Sequence, residues 1–247
     1  MEPTDNKNSK HEEAVVATEL HKDRLIINKV ASRRKFLGYS GVAIASTALI
    51  LSGCKKDDDD DDDDDGVDLG SGDIGILNYA YALEQLEAAF YTTVVGAYYT
   101  GITPAEIELL SDIQKHEVAH RDFFKAAIGS SAIPDLEVDF SSIDFTSRAS
   151  VLGTAKAFED LGVSAYNGAG KLISDANYLL IAGKIVSVEA RHAAAIRNLL
   201  SPGTASFAGD DIIDALGLEV SRTPAEVLAI ADTYIITKIN AGNLPTS

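Results

Sequence analysis

The chain has 247 residues, a single cysteine and a formal net charge of −17 from 21 basic and 38 acidic side chains. One cysteine excludes an intramolecular disulfide framework and a cysteine-rich zinc site, and the acidic balance argues against a general nucleic-acid binder. Hydrophobic residues make up 46% of the chain, enough for a real core. Nine of the acids form one run, Asp57 to Asp65, yet residues 73–247 alone still carry 22 acids against 11 bases.

The first 54 residues read as an address. Ser32-Arg33-Arg34-Lys35-Phe36-Leu37 resembles the twin-arginine export motif, and the apolar run Gly41 to Leu51 that follows is too short to span a bilayer but suits a signal-peptide core. It ends in Leu51-Ser52-Gly53-Cys54, which resembles a bacterial lipobox. That resemblance implies cleavage before Cys54 and a lipid on its thiol, so residues 1–53 are expected to leave as a signal peptide. The alternative is an uncut single-pass anchor. Residues 54–72 are expected to form an acidic flexible tether, because the charges of Asp57 to Asp65 repel, nothing apolar lies among them, and Gly66, Gly70 and Gly72 follow. Lys55-Lys56 followed by acids resembles the surface-export tag of lipoproteins in Bacteroidetes-type bacteria. The expected location is therefore the bacterial cell envelope, at the outer membrane or cell surface, held by the lipid on Cys54.

From Asp73 the pattern turns helical. Leu77, Ala80, Glu84, Glu87, Tyr91 and Val94 alternate in steps of three and four, predicting a first helix over about 73–97. Thr103-Pro104-Ala105-Glu106 is a capping box that opens a second helix running to Ile128, with Gly129 as its stop. Residues 129–145 read as a long connection. A third helix is expected over 147–173, and a fourth from Asp175 to just before Pro202-Gly203. The expected fold is all-α: an up-down four-helix bundle over 73–200 with a long crossover between its second and third helices. In the C-terminal extension, 201–247, a short helix is expected at Asp210–Leu216. A last one is expected from the second capping box, Thr223-Pro224-Ala225-Glu226, to Asn240.

The apolar stripes carry acids. The first helix has Glu84 seven residues before Tyr91, and the third has Glu159 seven residues before Tyr166. The second has Glu117 and His120, the fourth Glu189 and His192. One half therefore occurs twice, with 33 residues between its two glutamates in the first copy and 30 in the second. Burying unpaired carboxylates costs several kcal/mol each, and four that converge would also repel. Two divalent cations would bring +4 against −4, and residues at i and i+3 share a helix face, so each Glu-x2-His pair can hold one ion.

These residues identify a resemblance. Leu83 to Tyr91, His116-Glu117-Val118-Ala119-His120, Glu159 with Tyr166, and Glu189-Ala190-Arg191-His192 resemble the ferritin-like superfamily, especially secreted or lipid-anchored ferritin-like proteins related to desiccation-associated proteins. The resemblance covers about 73–200. It implies that Glu117 and Glu189 bridge two metal ions, that Glu84 and Glu159 are terminal ligands, and that His120 and His192 each cap one metal. It places Tyr91 and Tyr166 beside the site, orienting carboxylates or passing an electron. The implied cofactor is a pair of metal ions, iron first and manganese second, that reacts with dioxygen or peroxide in ferroxidase-like or peroxide-removing chemistry under stress. A closed storage cage fits poorly with a lipid on every chain; a homodimer stays open. Glu87, which shares the inward stripe, is left between extra ligand, supporting acid and exposed edge residue.

Two rivals stand beside this. One is a bundle that keeps the fold without the chemistry, serving as an envelope binding or scaffold protein. The other takes His116-Glu117-Val118-Ala119-His120 as the H-E-x-x-H motif of a zinc hydrolase; it leaves Glu84, Glu159, Glu189 and His192 unexplained.

Overall fold

The computed structural model describes residues 66–246. The export motif, the lipobox with Cys54 and the acid run lie outside the described residues. Four long helices dominate: α1 (Gly72–Gly96), α2 (Pro104–Ile128), α3 (Arg148–Ala169) and α4 (Ala176–Leu200). All four agree with the sequence expectation to within a few residues at each end. The first two pack against each other, as do the last two, and α1 meets α3 across the centre. Among the described residues no helix is long and apolar enough to cross a membrane.

Local chemistry sets the helix starts. Thr103 and Glu106 make the reciprocal capping box of α2, with Pro104 in the first turn. The side chains of Ser147 and Asp175 cap α3 and α4. The Glu106 carboxylate also receives Arg148 Nε at 2.7 Å, which ties the start of α2 to the start of α3. Asp73 accepts from the backbone N–H groups of Ser174 and Asp175, both at 2.8 Å, and so pins the turn into α4 against the start of α1.

Helix α1 is buried nearly all round rather than along one stripe, because the α2–α3 connection covers its outer side. Two of its amide side chains hold that connection. Buried Asn78 donates to the carbonyls of Leu69 and Ser131 and accepts from Ile133 N–H at 3.0 Å, while Gln85 accepts from Leu136 N–H at 2.8 Å. The amides thereby satisfy loop backbone groups that have no helix or sheet partner.

Three expectations need correction. Residues 54–72 do not form a flexible tether throughout: from Gly66 the chain belongs to the fold. Strand β1 (Val67–Asp68) pairs in parallel with β2 (Ile239–Asn240), and Leu69 is fully buried. The segment Asp210–Leu216 is a series of turns, preceded by a 3-10 turn at Ala205–Ala208. Helix α5 (Pro224–Ala231) has its capping box but stops nine residues before Asn240. After Thr233-Tyr234 comes the β-branched run Ile235-Ile236-Thr237, which is stiff at χ1 and favours extended backbone. Here it joins the crossover instead: Asp139 N–H donates to Tyr234 O at 2.9 Å and Ile236 N–H to Glu137 O at 2.8 Å.

The extension is packed, not trailing. Arg222 N–H donates to Ser164 O at 3.0 Å, and a Cβ at Gly168 would stand 1.7 Å from the Arg222 carbonyl oxygen, so only glycine fits there. Arg197, 2% exposed, sits between Asp160 on α3 and Asp211 in the extension, with nitrogen–oxygen distances of 2.7 to 3.0 Å.

Candidate metal centre

Each of the four bundle helices sends one glutamate inward. Glu84, Glu117, Glu159 and Glu189 are all 0% exposed and His192 is 5% exposed. The His120 side chain keeps 14% exposure. They fall into two groups whose donor atoms lie within 4.8 Å of one another: Glu84, Glu117, His120 and Glu189; and Glu117, Glu159, Glu189 and His192. The six residues singled out by spacing are therefore brought together, and Glu117 and Glu189 belong to both groups.

His120 Nδ1 faces Glu189 Oε1 at 2.8 Å, Glu84 Oε2 at 3.4 Å and Glu117 Oε2 at 3.5 Å. His192 Nδ1 faces Glu117 Oε1 at 2.8 Å and Glu159 Oε2 and Glu189 Oε2 at 3.4 Å. The two sets mirror each other, as the doubled sequence pattern requires.

The tyrosines cross over between the halves. Tyr91 on α1 donates to Glu159 Oε1 on α3 at 2.5 Å, and Tyr166 on α3 donates to Glu84 Oε1 on α1. Each phenol fixes one oxygen of a carboxylate and leaves Oε2 facing the centre. Burial and the nearby carboxylates hold both phenols protonated, well above the usual tyrosine range.

This donor set fits a pair of cations. Glu84 Oε2, Glu159 Oε2, both oxygens of Glu117 and Glu189, and Nδ1 of His120 and His192 are buried and lack a hydrogen-bond partner of acceptable geometry. Buried polar atoms are rarely left so; eight around one point need a common explanation. Donors bound at right angles about 2.1 Å from a cation sit about 3 Å apart, and the nitrogen–oxygen distances here span that value.

Without an ion, protons take the cations' place. Burial opposes charge on the imidazoles, but the facing carboxylates outweigh it and push His120 and His192 up to about 12. Burial likewise opposes ionisation of Glu117, yet both histidines pull it down to about 2. Glu159 goes the other way, to about 8, because burial outweighs its contact with His192. Glu84 is also raised, by burial and then by the charge of Glu189. The cluster thus draws positive charge.

His116 is in neither group. Its Nδ1 lies 2.9 Å from His192 Nε2, with the two rings nearly coplanar at 7°. It fixes the ring orientation of His192, so that Nδ1 faces the carboxylates. One turn before His120 on α2, His116 falls on the side of α2 that faces His192. Glu87 is buried as well, but its carboxyl lies outside both groups.

Comparison with curated proteins returns no matching relative. The family model of the ferritin-like domain matches residues 72–202, more than half of the chain and all six residues of the cluster. With four helices, a doubled Glu-x2-His and a buried cluster that can hold metal ions, the chain belongs to the ferritin-like domain family.

Proposed function

We propose that this chain binds two redox-active divalent cations, iron first and manganese second, and uses them toward dioxygen or peroxide in the cell envelope. The observation that carries the reading is the set of eight orphaned donor atoms, split into two groups that share Glu117 and Glu189. In this reading Glu117 and Glu189, common to both donor groups, would serve both ions, Glu84 and Glu159 would each give one oxygen, and His120 and His192 would each give Nδ1. Bound iron or manganese would supply one-electron chemistry that no side chain in the bundle provides.

The chain's own part is positioning. Tyr91 and Tyr166 hold the terminal carboxylates by Oε1, and His116 holds His192 by Nε2. The bundle keeps the acids out of water, which strengthens every charge interaction there. If ferrous iron is substrate rather than resident, the same residues hold it while it is oxidised.

Export and anchoring belong to the proposal. They are supported by the arginine pair Arg33-Arg34 and the lipobox ending in Cys54. Replacing Cys54 with Ala should release the protein from the membrane fraction.

Elemental analysis of the purified chain is the test. Two ions per chain are expected in wild type, and loss of the pair in Glu117→Ala and Glu189→Ala; undiminished metal in both variants would refute the site. One observation favours a metal-free scaffold as second reading: protonated His120 and His192 already offset two of the carboxylate charges. The zinc-hydrolase reading needs His116 and His120 on one ion, whereas His116 is turned to His192 and neither donor group includes it.

A further inference from the structure

One acid in the bundle centre has no part in the centre so far described. Glu87 follows Glu84 by three residues on α1, is 4% exposed, and its carboxyl makes no hydrogen bond to any described residue. Its Oε1 occupies a notch on α3: a Cβ at Gly162 would stand 2.9 Å from it. Gly162 follows Glu159 just as Glu87 follows Glu84, so the two halves of the repeat differ here. The α3 half gives up a side chain and the α1 half fills the space with an acid. Taking a carboxyl this far out of water is costly, and a glycine in mid-helix adds to the cost. Packing alone would favour an apolar pair at these positions.

The donor count gives Glu87 a use. Tyr166 and Tyr91 engage one oxygen each of Glu84 and Glu159, so the six residues leave eight free donor atoms, four for each of two ions. Oxygen-preferring divalent ions such as manganese take six ligands. Both imidazoles come from α2 and α4, whereas Glu87 and Gly162 lie on α1 and α3, so an acid stands ready on the side that has no nitrogen donor.

We propose that Glu87 is a seventh metal-binding residue, whose carboxylate turns from the Gly162 notch into an open position on the α1–α3 side of the ion pair. This rests on the reading of the six-residue centre as a two-ion site. A fifth carboxylate brings the centre to −5, one more negative charge than two divalent ions neutralise, so ligation by Glu87 favours an ion pair of higher charge.

The test loads the purified full chain with cobalt(II), whose visible absorption weakens as ligands are added beyond four, and with manganese(II) for anomalous diffraction. In the wild type, a Glu87 oxygen is expected within about 2.0–2.3 Å of a manganese position. Glu87→Gln should keep the fold and give a stronger cobalt absorption than wild type. It should also bind one of the two ions roughly tenfold more weakly. Gly162→Ala fills the notch and leaves the acid, so it should retain the wild-type cobalt spectrum. If the wild type holds two ions while Glu87 stays in the notch, and Glu87→Gln matches it in spectrum and affinity, the seventh ligand is refuted and the six-residue site stands. If the wild type holds no ion pair, both fall together. Should Glu87→Gln fail to fold, diffraction from the loaded wild type decides alone.

Discussion

Tyr91 on α1 and Glu159 on α3 are joined by a hydrogen bond of 2.5 Å across the bundle, and Tyr166 and Glu84 repeat the contact in the opposite direction. Each Glu-x6-Tyr motif thus serves the other half of the repeat rather than its own. Tyr91→Phe leaves Glu159 Oε1 buried without its donor, which should cost about 1–3 kcal/mol. The expected result is a lower denaturation midpoint for the metal-free chain, with two ions per chain still bound after loading. Loss of metal together with stability would mean that the phenol does more than hold the carboxylate.

Metal should stabilise the native chain, because the unfolded chain does not assemble donors from four helices. At free manganese or ferrous ion about 100 times the dissociation constant, the gain should be about 2.7 kcal/mol. Thermal melts with and without a chelator read it. A melting temperature indifferent to both ions would leave the scaffold reading as the better one.

The pH dependence should differ between the metal-free and the loaded states. In the metal-free chain His120 and His192 are raised to about 12 and Glu159 to about 8. Groups raised on folding stabilise fully below their ordinary values and lose that contribution as pH climbs through the folded value. Glu117, lowered to about 2, contributes above its ordinary range and loses its contribution only in strong acid. Metal-free stability should therefore fall from about pH 5 upward, through about 8 as Glu159 ionises and on towards about 12 as the histidines lose their protons. Metal must displace the same protons, so affinity rises with pH. The difference in melting temperature between loaded and metal-free protein should widen over that range; a constant or shrinking difference would contradict the proton-for-metal exchange.

The six donors were legible in the sequence because helical periodicity is local: Glu117 with His120, and Glu189 with His192, share a face by spacing alone. Tyr91 and Tyr166 were legible as neighbours of the site, but their crossing between halves required the bundle. Other features depend on segments far apart in the chain. Asn78 and Gln85 read as ordinary polar residues on a helix until the α2–α3 connection lies over them. The two-residue pairing of Val67–Asp68 with Ile239–Asn240 carries no alternation long enough to signal a strand. The capping box of the last helix marks its start and carries no signal for its end at Ala231. The β-branched Ile235-Ile236-Thr237 stopped it by joining the crossover.

Arg197 offers a test of how firmly the extension belongs to the bundle. Its guanidinium is 2% exposed and contacts Asp160, Asp211 and the Ser206 carbonyl, which ties α3, α4 and the start of the extension at one point. These contacts hold the guanidinium charged and pull Asp211 down to about 2. Arg197→Ala leaves Asp160 with Lys156 Nζ at 3.0 Å as its remaining cation, so the loss should stay below the about 3–5 kcal/mol of breaking a fully buried pair. Asp211 is largely exposed and can turn to water, whereas Asp160 cannot so readily, so most of the loss should come from Asp160. Arg197→Ala with Asp160→Asn should then recover much of the stability, while Arg197→Ala with Asp211→Asn should recover little. Denaturant midpoints of the three variants measure this. Equal recovery in both double variants would show that the extension's aspartate carries as much of the pairing as the one inside the bundle.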